Sequence, residues 1–139
     1  MTDQRIELTA IGRVKSPLTD PEAAPKQGDE GAPDAWLLLD TGVLAGLDGL
    51  KAGDEIIVLT WLDRAQRDVL SVHPRGDLSR PLQGVFTTRS PDRPNPIGLH
   101  RVRVAEIDGN CLRVHRLEAL DGTPILDLKP VLSADVSER

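Results

Sequence analysis

The sequence predicts an all-β fold, a barrel or a sandwich with one minor helix. Short apolar or alternating segments recur along the chain, and turn signals of Gly, Pro, Asn and Asp separate them at intervals of about 8 to 12 residues. Because the chain has 139 residues, we expect one domain spanning residues 1–139. The chain has two Trp, one Phe and no Tyr, so the predicted core consists of Leu, Val and Ile.

The first half of the chain supplies three predicted strands and one short helix. Residues 6–14 alternate apolar and polar side chains, with a bend or bulge at Gly12. Residues 36–39 form a short apolar strand. Residues 55–62 are β-branched and apolar on both faces, which is typical of a central strand buried on both sides. The apolar spacing in residues 43–50 fits a short helix, although its glycines weaken that prediction.

The second half supplies further strands, predicted at residues 69–72, 84–88, 97–107, 112–117 and 125–130. The alternation is clearest in the third of these, and it places His100, Val102 and Val104 on one face. Asp108-Gly109-Asn110 follows that strand and predicts a tight hairpin turn.

The most informative segment is the loop TTRSPDRPNPIGLH, residues 87–100, which follows a predicted strand start at Val85. Proline fixes φ and restricts the residue before it, so three prolines between Pro91 and Gly98 leave this loop few shapes. Part of its ordering entropy is thereby removed in advance. The frame carries four polar side chains: Arg89, Asp92, Arg93 and Asn95. Such a loop is typical of a binding site; the alternative is an edge loop kept polar to block aggregation.

The formal net charge of −5 hides an asymmetry. From Arg64 to Arg116 the chain has ten arginines and five acidic residues, a balance of +5, whereas the remainder carries −10. Arginine offers a planar fork of donors that suits phosphate or carboxylate. The middle of the chain is therefore a candidate anion or nucleic-acid surface. The alternative is a set of surface arginines paired with Asp and Glu.

Cysteine and histidine usage argues against several chemistries. The single Cys111 excludes an internal disulfide and a cysteine-cluster metal site, and we expect it to act as a small hydrophobic residue. His73 is remote in sequence from the other two histidines. We interpret His100 and His115, which the predicted hairpin brings opposite each other, as a surface pair rather than a metal site. We therefore expect no metal.

No established catalytic motif is present: the chain has no phosphate loop, no glycine-rich nucleotide fingerprint and no nucleophile elbow. The N-terminus has no signal-peptide pattern, and no apolar stretch approaches the roughly 18 residues of a membrane span, so we expect a cytoplasmic protein.

Three irregular segments on the β frame are candidate binding elements: residues 25–28, 89–99 and 121–124. Each combines a turn with hydrogen-bond donors or acceptors. The third segment has the alternative interpretation of an Asx-type turn. Asp127 and Lys129 share a strand face, and we expect them to form an ion pair. These features alone identify no ligand.

Three strings give the chain a family resemblance. IGRVKSP, TRSPDRPNPIGLHRV and LDGTPILDLKP occur in this order, and together they resemble the TsaA-like family, also called the TrmO family. The resemblance extends from about Ile11 to Asp135. WLDRAQRD and SVHPRGD further resemble a short, single-domain branch of this family.

The resemblance implies a fold, a cofactor and an activity. The fold of the family is a single-sheet β-barrel, here with a short helix and a long proline-rich loop. The cofactor of the family is S-adenosylmethionine, which is bound without a Rossmann domain near the interface of a homodimer. The activity implied is methylation of N6 of a threonylcarbamoyl-adenosine beside the tRNA anticodon, so tRNA is the expected substrate.

The family motifs carry the cofactor contacts onto this chain at Pro25, Lys26, Gln27, Asp63, Arg64, Arg89, Leu99, Asp121, Gly122, Thr123 and Pro124. In this interpretation Arg89 pairs with the methionine carboxylate, Asp121 accepts from the ribose or amino group, and the backbone near Leu99 and Gly122 reads the adenine edge. Arg93 and Asn95 are candidates for substrate contact. Three further arginines are candidates for phosphate contact: Arg75, Arg101 and Arg103. No residue is assigned as the catalytic base.

The chain departs from the family pattern at three points. Asp63 stands where the family usually has His, and Val131 stands where a Tyr commonly follows the LKP turn. Larger members continue into a C-terminal domain, so we expect tRNA binding here to use the barrel alone, which the net charge of −5 makes harder. Three alternatives therefore stay open: a methyltransferase for a small molecule or another modified base, a non-catalytic cofactor-binding module, and a scaffold whose proline loop only forms the dimer.

Overall fold

The protein folds as a closed antiparallel β-barrel in the computed structural model, which describes residues 3–20 and 31–132. Its strands are β1 (Gly12–Lys15), β2 (Ala35–Leu39), β3 (Glu55–Trp61), β4 (Ser71–Val72), β5 (Gln83–Gly84), β6 (Ile97–Asp108), β7 (Cys111–Val114) and β8 (Pro124–Pro130). Six of them close the ring in the order β1-β2-β7-β6-β3-β8. Every neighbouring pair is antiparallel. The predicted all-β class and single-sheet barrel are confirmed.

Alternating side chains from every strand of the ring fill the barrel. On β3, Ile56 and Val58 point inward and are almost fully buried, as are Val102 and Val104 on β6. The outward residues of β3 are half-buried rather than buried, so the expected burial on both faces holds for only one face. The core is aliphatic, as the composition predicts.

The predicted helix is present as a 3₁₀ helix, Thr41–Leu47. It follows β2 at the end of the barrel where β3 begins. Val43 and Leu47 pack against the core from outside the ring. The predicted ion pair in β8 is also present, with Lys129 Nζ 3.3 Å from Asp127 Oδ2.

The first predicted strand is wrong in extent. Residues 6–11 are not in a strand, and Ile6 and Leu8 are exposed; β1 begins only at Gly12. A side chain at Gly12 would collide with the backbone of Leu38 and Leu39, so the glycine serves close contact between β1 and β2 rather than a bulge.

The predicted strand start at Val85 is instead a 3₁₀ turn, Val85–Thr87, which leaves Phe86 exposed. The predicted strand 69–72 is reduced to β4, which pairs with β5 outside the barrel. The hairpin after β6 is confirmed, with Asp108 opposite Cys111.

Candidate functional site

Four polar connections meet at one end of the barrel. Since neighbouring strands are antiparallel, the ends of β1 and β3 lie beside the starts of β6 and β8. The connections at this end include residues 16–20, 62–69, 88–96 and 115–123. The fold therefore brings together the proline loop, the segment after β3 and the 121–124 turn, as the resemblance implies. Pro25, Lys26 and Gln27 lie outside the described residues.

The proline loop is joined to the segment after β3 by reciprocal hydrogen bonds. The Gln66 N–H donates to Asp92 Oδ1 at 2.9 Å, and the Arg93 N–H donates to the Gln66 carbonyl at 3.0 Å. Nearer the barrel, the Leu62 N–H donates to the Pro96 carbonyl at 2.8 Å. The two family strings WLDRAQRD and SPDRPNP are thus structural partners. Asp92 thus has a structural role in joining the two segments.

Arg93 holds the proline loop from within. Its Nη1 donates to the carbonyls of Thr88 at 3.1 Å and Ser90 at 2.8 Å, and its Nη2 donates to the Val85 carbonyl at 2.9 Å. The side chain is half-buried and turned into the loop. The structure thus gives Arg93 a structural role, whereas its expected contact with substrate stays a prediction.

The turn at residues 121–124 uses nearly all its polar groups within the fold. The Gly122 N–H donates to the Val14 carbonyl, and the Gly122 carbonyl accepts from Arg13. Thr123 is buried and its hydroxyl donates to the Leu120 carbonyl at 2.7 Å. Both backbone groups of Gly122 thus have partners within the fold, and the expected contact of this backbone with the adenine edge stays a prediction.

Asp121 keeps one oxygen for a ligand. Its Oδ1 accepts from the Ser16 N–H at 3.0 Å, and its own N–H donates to the Leu18 carbonyl. No hydrogen bond within residues 3–20 and 31–132 uses Oδ2. This oxygen remains available for the ribose or amino group that the resemblance implies.

Arg64 links two of the connections. Its Nη1 lies 3.4 Å from the Thr19 carbonyl and its Nη2 lies 3.3 Å from the Asp121 carbonyl. Both contacts are long and exposed. Arg64 therefore joins the segment after β1, residues 16–20, to the 121–124 turn.

Three of the predicted cofactor residues are exposed and uncommitted. Arg89 and Asp63 make no hydrogen bond or ion pair with any part of the chain that the structure describes. Leu99 lies on the outer face of β6, opposite Leu59 of β3, and is 47% exposed. A cation, a carboxylate and an apolar side chain are thus available on a frame that other contacts hold in place.

A buried polar triad lies beneath this end of the barrel. His100 is 5% exposed; its Nε2 lies 2.7 Å from Oγ1 of Thr60, and its Nδ1 lies 2.5 Å from Oε1 of Glu118. The prediction that His100 and His115 form a surface pair is wrong. His115 is exposed and contacts Asp34 instead.

Three arginines of the arginine-rich middle of the chain pair with carboxylates on the barrel surface. Arg101 Nε lies 3.1 Å from Glu55 Oε2, and Arg103 Nη2 lies 3.5 Å from Glu55 Oε1. Arg113 lies within 3.3 Å of Asp34 and Glu106. The alternative of arginines paired with acidic residues is correct for these three. The predicted phosphate contacts of Arg101 and Arg103 stay predictions.

Two carboxyl groups have pKa values below their ordinary range. For Glu55 the main cause is the hydrogen bond from Arg101, aided by the charges of Arg101 and Arg103. For Asp77 the main cause is the hydrogen bond from the Ser79 side chain, aided by the Ser79 N–H. Asp77 follows the Pro74–Gly76 turn, where Arg75, a predicted phosphate contact, adopts a left-handed φ of 55°.

Sequence reasoning missed several site-forming residues. Thr60, His100 and Glu118 form the buried triad, and Gln66 and Arg67 bind the proline loop. For His100 a signal existed, since it shares strand parity with the buried Val102 and Val104. Nothing in the pattern signalled the contacts of Gln66 and Arg67, which join segments about 26 residues apart in the chain.

In the part of the chain that the structure describes, no group of three or more His, Cys, Asp or Glu residues could hold a metal ion. No helix in residues 3–20 and 31–132 is long and apolar enough to cross a membrane.

Two open depressions on the surface, of about 350 and 260 Å³, contain none of the predicted cofactor residues. Arg13 and Asp40 line the first, and Leu47 and Pro130 line the second.

A closed six-stranded barrel with polar loops gathered at one end defines a small single-sheet ligand-binding domain. A family profile described as the tRNA-methyltransferase O N-terminal domain matches residues 13–135. The chain belongs to this family, which confirms the resemblance read from the three strings.

Two curated relatives are similar to this chain over most of their length. A probable S-adenosyl-L-methionine-binding protein of Methanothermobacter thermautotrophicus is 43% identical over 130 residues, which cover 94% of this chain and 93% of the relative. An S-adenosyl-L-methionine-binding protein of Archaeoglobus fulgidus is 44% identical over 122 residues, 88% of this chain and 86% of the relative. Their names agree with the cofactor that the resemblance implies.

A solved structure has the same fold. The crystal structure of TrmO from Pseudomonas aeruginosa superposes with a TM-score of 0.74 at 28% identity and covers 96% of this chain. The match spans 62% of the TrmO chain, so this protein corresponds to somewhat less than two thirds of it.

Proposed function

We propose that this protein is an S-adenosylmethionine-dependent methyltransferase that acts on tRNA, at N6 of a threonylcarbamoyl-adenosine beside the anticodon. One observation carries the proposal: Arg89, an exposed cation without a partner in the described chain, sits on a loop that prolines and Arg93 hold rigid. Preorganised groups of this kind bind ligands with a small entropic cost. Membership of the tRNA-methyltransferase O family supports the choice of ligand.

The chemistry of the available groups fits the cofactor. S-Adenosylmethionine carries a carboxylate, an amino group, a ribose and an adenine. Arg89 offers a charge-assisted bond to the carboxylate, and Asp121 Oδ2 offers an acceptor for the amino group or a ribose hydroxyl. Leu99 supplies apolar surface for the adenine. Pro25, Lys26 and Gln27 complete the contacts that the family motifs imply.

The chain's own residues bind and orient in this mechanism. The cofactor, when bound, supplies an electrophilic methyl group on a sulfonium. Arg93, Gln66 and Asp92 hold the loop that carries Arg89, and Arg64 holds the 121–124 turn. Fixed positions and exclusion of water contribute most of the rate enhancement for a direct displacement. Asp63, exposed beside this end of the barrel, adds negative charge that favours a cationic ligand.

The proposal includes a homodimer in the cytoplasm. Four large apolar side chains between residues 70 and 86, in the part of the chain that contains β4 and β5, are 61–80% exposed: Leu70, Leu78, Leu82 and Phe86. Apolar side chains exposed in one region are typical of an interface. A second copy of the chain seated on this region would remove them from water and would lie against the connection that leads into the proline loop.

A non-catalytic S-adenosylmethionine-binding module is the second candidate. Two observations favour it: the curated relatives are named binding proteins, and Asp63 replaces the histidine usual in the family. Loss of an imidazole at this point removes a group that could accept a proton. A methyltransferase for a small molecule or another modified base is the remaining alternative, favoured by the net charge of −5.

Methyl transfer distinguishes these functions. The protein is incubated with methyl-labelled S-adenosylmethionine and tRNA that carries threonylcarbamoyl-adenosine, and the nucleosides are then separated. We expect label in that nucleoside, and affinity for tRNA that falls steeply with salt. Cofactor binding without label in any RNA would support the binding module. Labelling of a small molecule, with tRNA binding weak at all salt concentrations, would support the other enzyme.

A further inference from the structure

The guanidinium of Arg67 lies over the ring of Trp61 beside the proline loop. The guanidinium carbon is 5.1 Å from the centre of the indole, a distance typical of cation–π stacking. Two hydrogen bonds fix the rotation of the group: Nε donates to the Pro94 carbonyl at 2.7 Å, and Nη2 donates to Asn95 Oδ1 at 3.0 Å. A side chain that is usually mobile on a protein surface is therefore held in one plane.

The outer face of this guanidinium is open. Arg67 is exposed, whereas Trp61 beneath it is half-buried. Nη1 donates to no acceptor in residues 3–20 and 31–132. A guanidinium plane with a free face stacks well on nucleobases, and in RNA recognition it replaces an aromatic side chain. This matters in a chain that has only two Trp, one Phe and no Tyr.

Asn95 places a donor beside the same plane. Because Oδ1 accepts from Arg67, the amide is oriented with its Nδ2 directed away, and no described group accepts from it. The backbone of Asn95 is fixed between two prolines, and its carbonyl accepts from the Ile97 N–H at 2.7 Å. A stacking plane and an amide donor are thus presented together on a rigid frame.

We propose that the outer face of Arg67 is a stacking surface for a nucleobase of RNA, and that Asn95 Nδ2 donates to an acceptor atom on the edge of that base. Trp61 directly precedes the segment that carries Asp63 and Arg64, so the surface adjoins the candidate cofactor site. The choice of RNA as the source of the base rests on the proposed function. The stacking surface itself rests on the Trp61, Arg67 and Asn95 geometry.

Two RNA probes and three variants test this surface. The probes are a single-stranded oligomer rich in adenosine and an oligomer of equal length with abasic riboses, which keeps the phosphates. Trp36 lies on β2, across the barrel from β3, so a Trp36→Phe background makes Trp61 the only reporter of fluorescence. Arg67→Lys keeps the charge and loses the plane, Arg67→Ala loses both, and Arg113→Ala removes an arginine elsewhere.

We expect the parent protein to prefer the adenosine oligomer by roughly tenfold or more, the size of one stacked base, with quenching of Trp61. Arg67→Lys and Arg67→Ala lose the preference, and Arg113→Ala keeps it. The preference also persists as salt rises, because stacking is not screened. A preference kept by Arg67→Lys would overturn the proposal, since charge alone would then explain binding.

Cofactor titration of the same proteins separates this inference from the proposed function. Because Arg67 also helps to hold the proline loop, we expect Arg67→Lys to bind S-adenosylmethionine only slightly more weakly than the parent does. If its cofactor affinity falls by the same tenfold, the ring on Arg67 is the adenine of the cofactor, and the RNA assignment is wrong. If the parent binds no cofactor but prefers the adenosine oligomer, the proposed function fails and the stacking surface stands. Asn95→Ala, with the stack intact, should lower affinity for adenosine RNA and not for abasic RNA.

Discussion

Nε2 of His100 lies 2.7 Å from Oγ1 of Thr60 inside a barrel whose core is otherwise mainly aliphatic. The two residues lie diagonally on adjacent strands, since Thr60 is directly opposite Gly98 and His100 is directly opposite Val58. A buried polar pair is costly unless each group has a partner, and Glu118 provides the second partner of His100. The triad joins β3, β6 and the segment before the 121–124 turn, which all carry residues of the candidate site.

Gly98 is predicted to be essential for this pair. A Cβ at position 98 would collide with Oγ1 of Thr60 and lie 2.7 Å from Nε2 of His100. Gly98→Ala should therefore lower the free energy of unfolding by about 1–3 kcal/mol, as overpacking does in other cores. Urea denaturation measures the change. Gly42→Ala is the matched control, since no atom lies within 4 Å of its added carbon. Equal stability of the two variants would contradict the assignment.

Thr60 and His100 are predicted to be energetically coupled. Thr60→Val leaves the imidazole without one partner, and His100→Leu leaves both the hydroxyl and the Glu118 carboxylate without theirs. Each should cost about 1–3 kcal/mol, since unsatisfied buried groups carry that penalty. The double variant should cost less than the two together, because no pair remains to be broken. Denaturation of all four proteins gives the coupling energy, and strict additivity would argue against a shared network.

Arg93 is predicted to order the proline loop. Arg93→Ala removes three donors to the carbonyls of residues 85, 88 and 90. Amide exchange at Gln66 should accelerate, because its acceptor Asp92 lies on the loosened loop. Arg93→Lys should restore only part of the protection of Gln66 from amide exchange, because a lysine ammonium cannot donate to carbonyls on two sides as the planar guanidinium does. Full protection in Arg93→Ala would show that the prolines alone order the loop.

Glu55 is predicted to titrate below the ordinary glutamate value of 4.5. Because its pKa is lowered in the folded protein, its contribution to stability is complete above 4.5 and is lost as the pH falls through the folded pKa. Arg101→Ala should bring the pKa of Glu55 back towards 4.5, since the Arg101 hydrogen bond is the largest cause. NMR titration of the carboxyl carbon measures this. The lowered pKa of Asp77 depends on Ser79 and should not change.

The sequence pattern predicted what depends on alternation and failed where distant segments meet. In β6 the burial alternates from Ile97 to Val104, so the inward face there was predictable, including the face of His100; a bulge between Val104 and Glu106 then interrupts it. Residues 6–10 also alternate, but no strand in the described part of the chain buries Ile6, so the pattern alone misled. Val85 begins a 3₁₀ turn in which its carbonyl accepts from the Thr88 N–H and also from Arg93, eight residues away in the chain. Propensity does not reveal such contacts.

In the candidate site, too, local features were predictable and contacts between distant segments were not. The proline loop was predictable as a rigid frame because proline restricts φ wherever it stands. Its partner segment was not, since the contacts of Gln66 and Arg67 arise only when β3 and β6 pair. The roles of Arg64 and Gly122 were also hidden, because both use their polar groups to join connections that lie far apart in the chain.

Calorimetric titration with S-adenosylmethionine and with its demethylated product tests whether the polar end of the barrel binds the cofactor. We expect micromolar binding, about 8 kcal/mol, at about one site per chain. We also expect Arg89→Ala to abolish binding while the unfolding transition is unchanged, because the exposed Arg89 has no structural partner in the described chain. Unchanged affinity in Arg89→Ala, or no binding of either ligand to the parent protein, would show that Arg89 and its loop do not form the cofactor site.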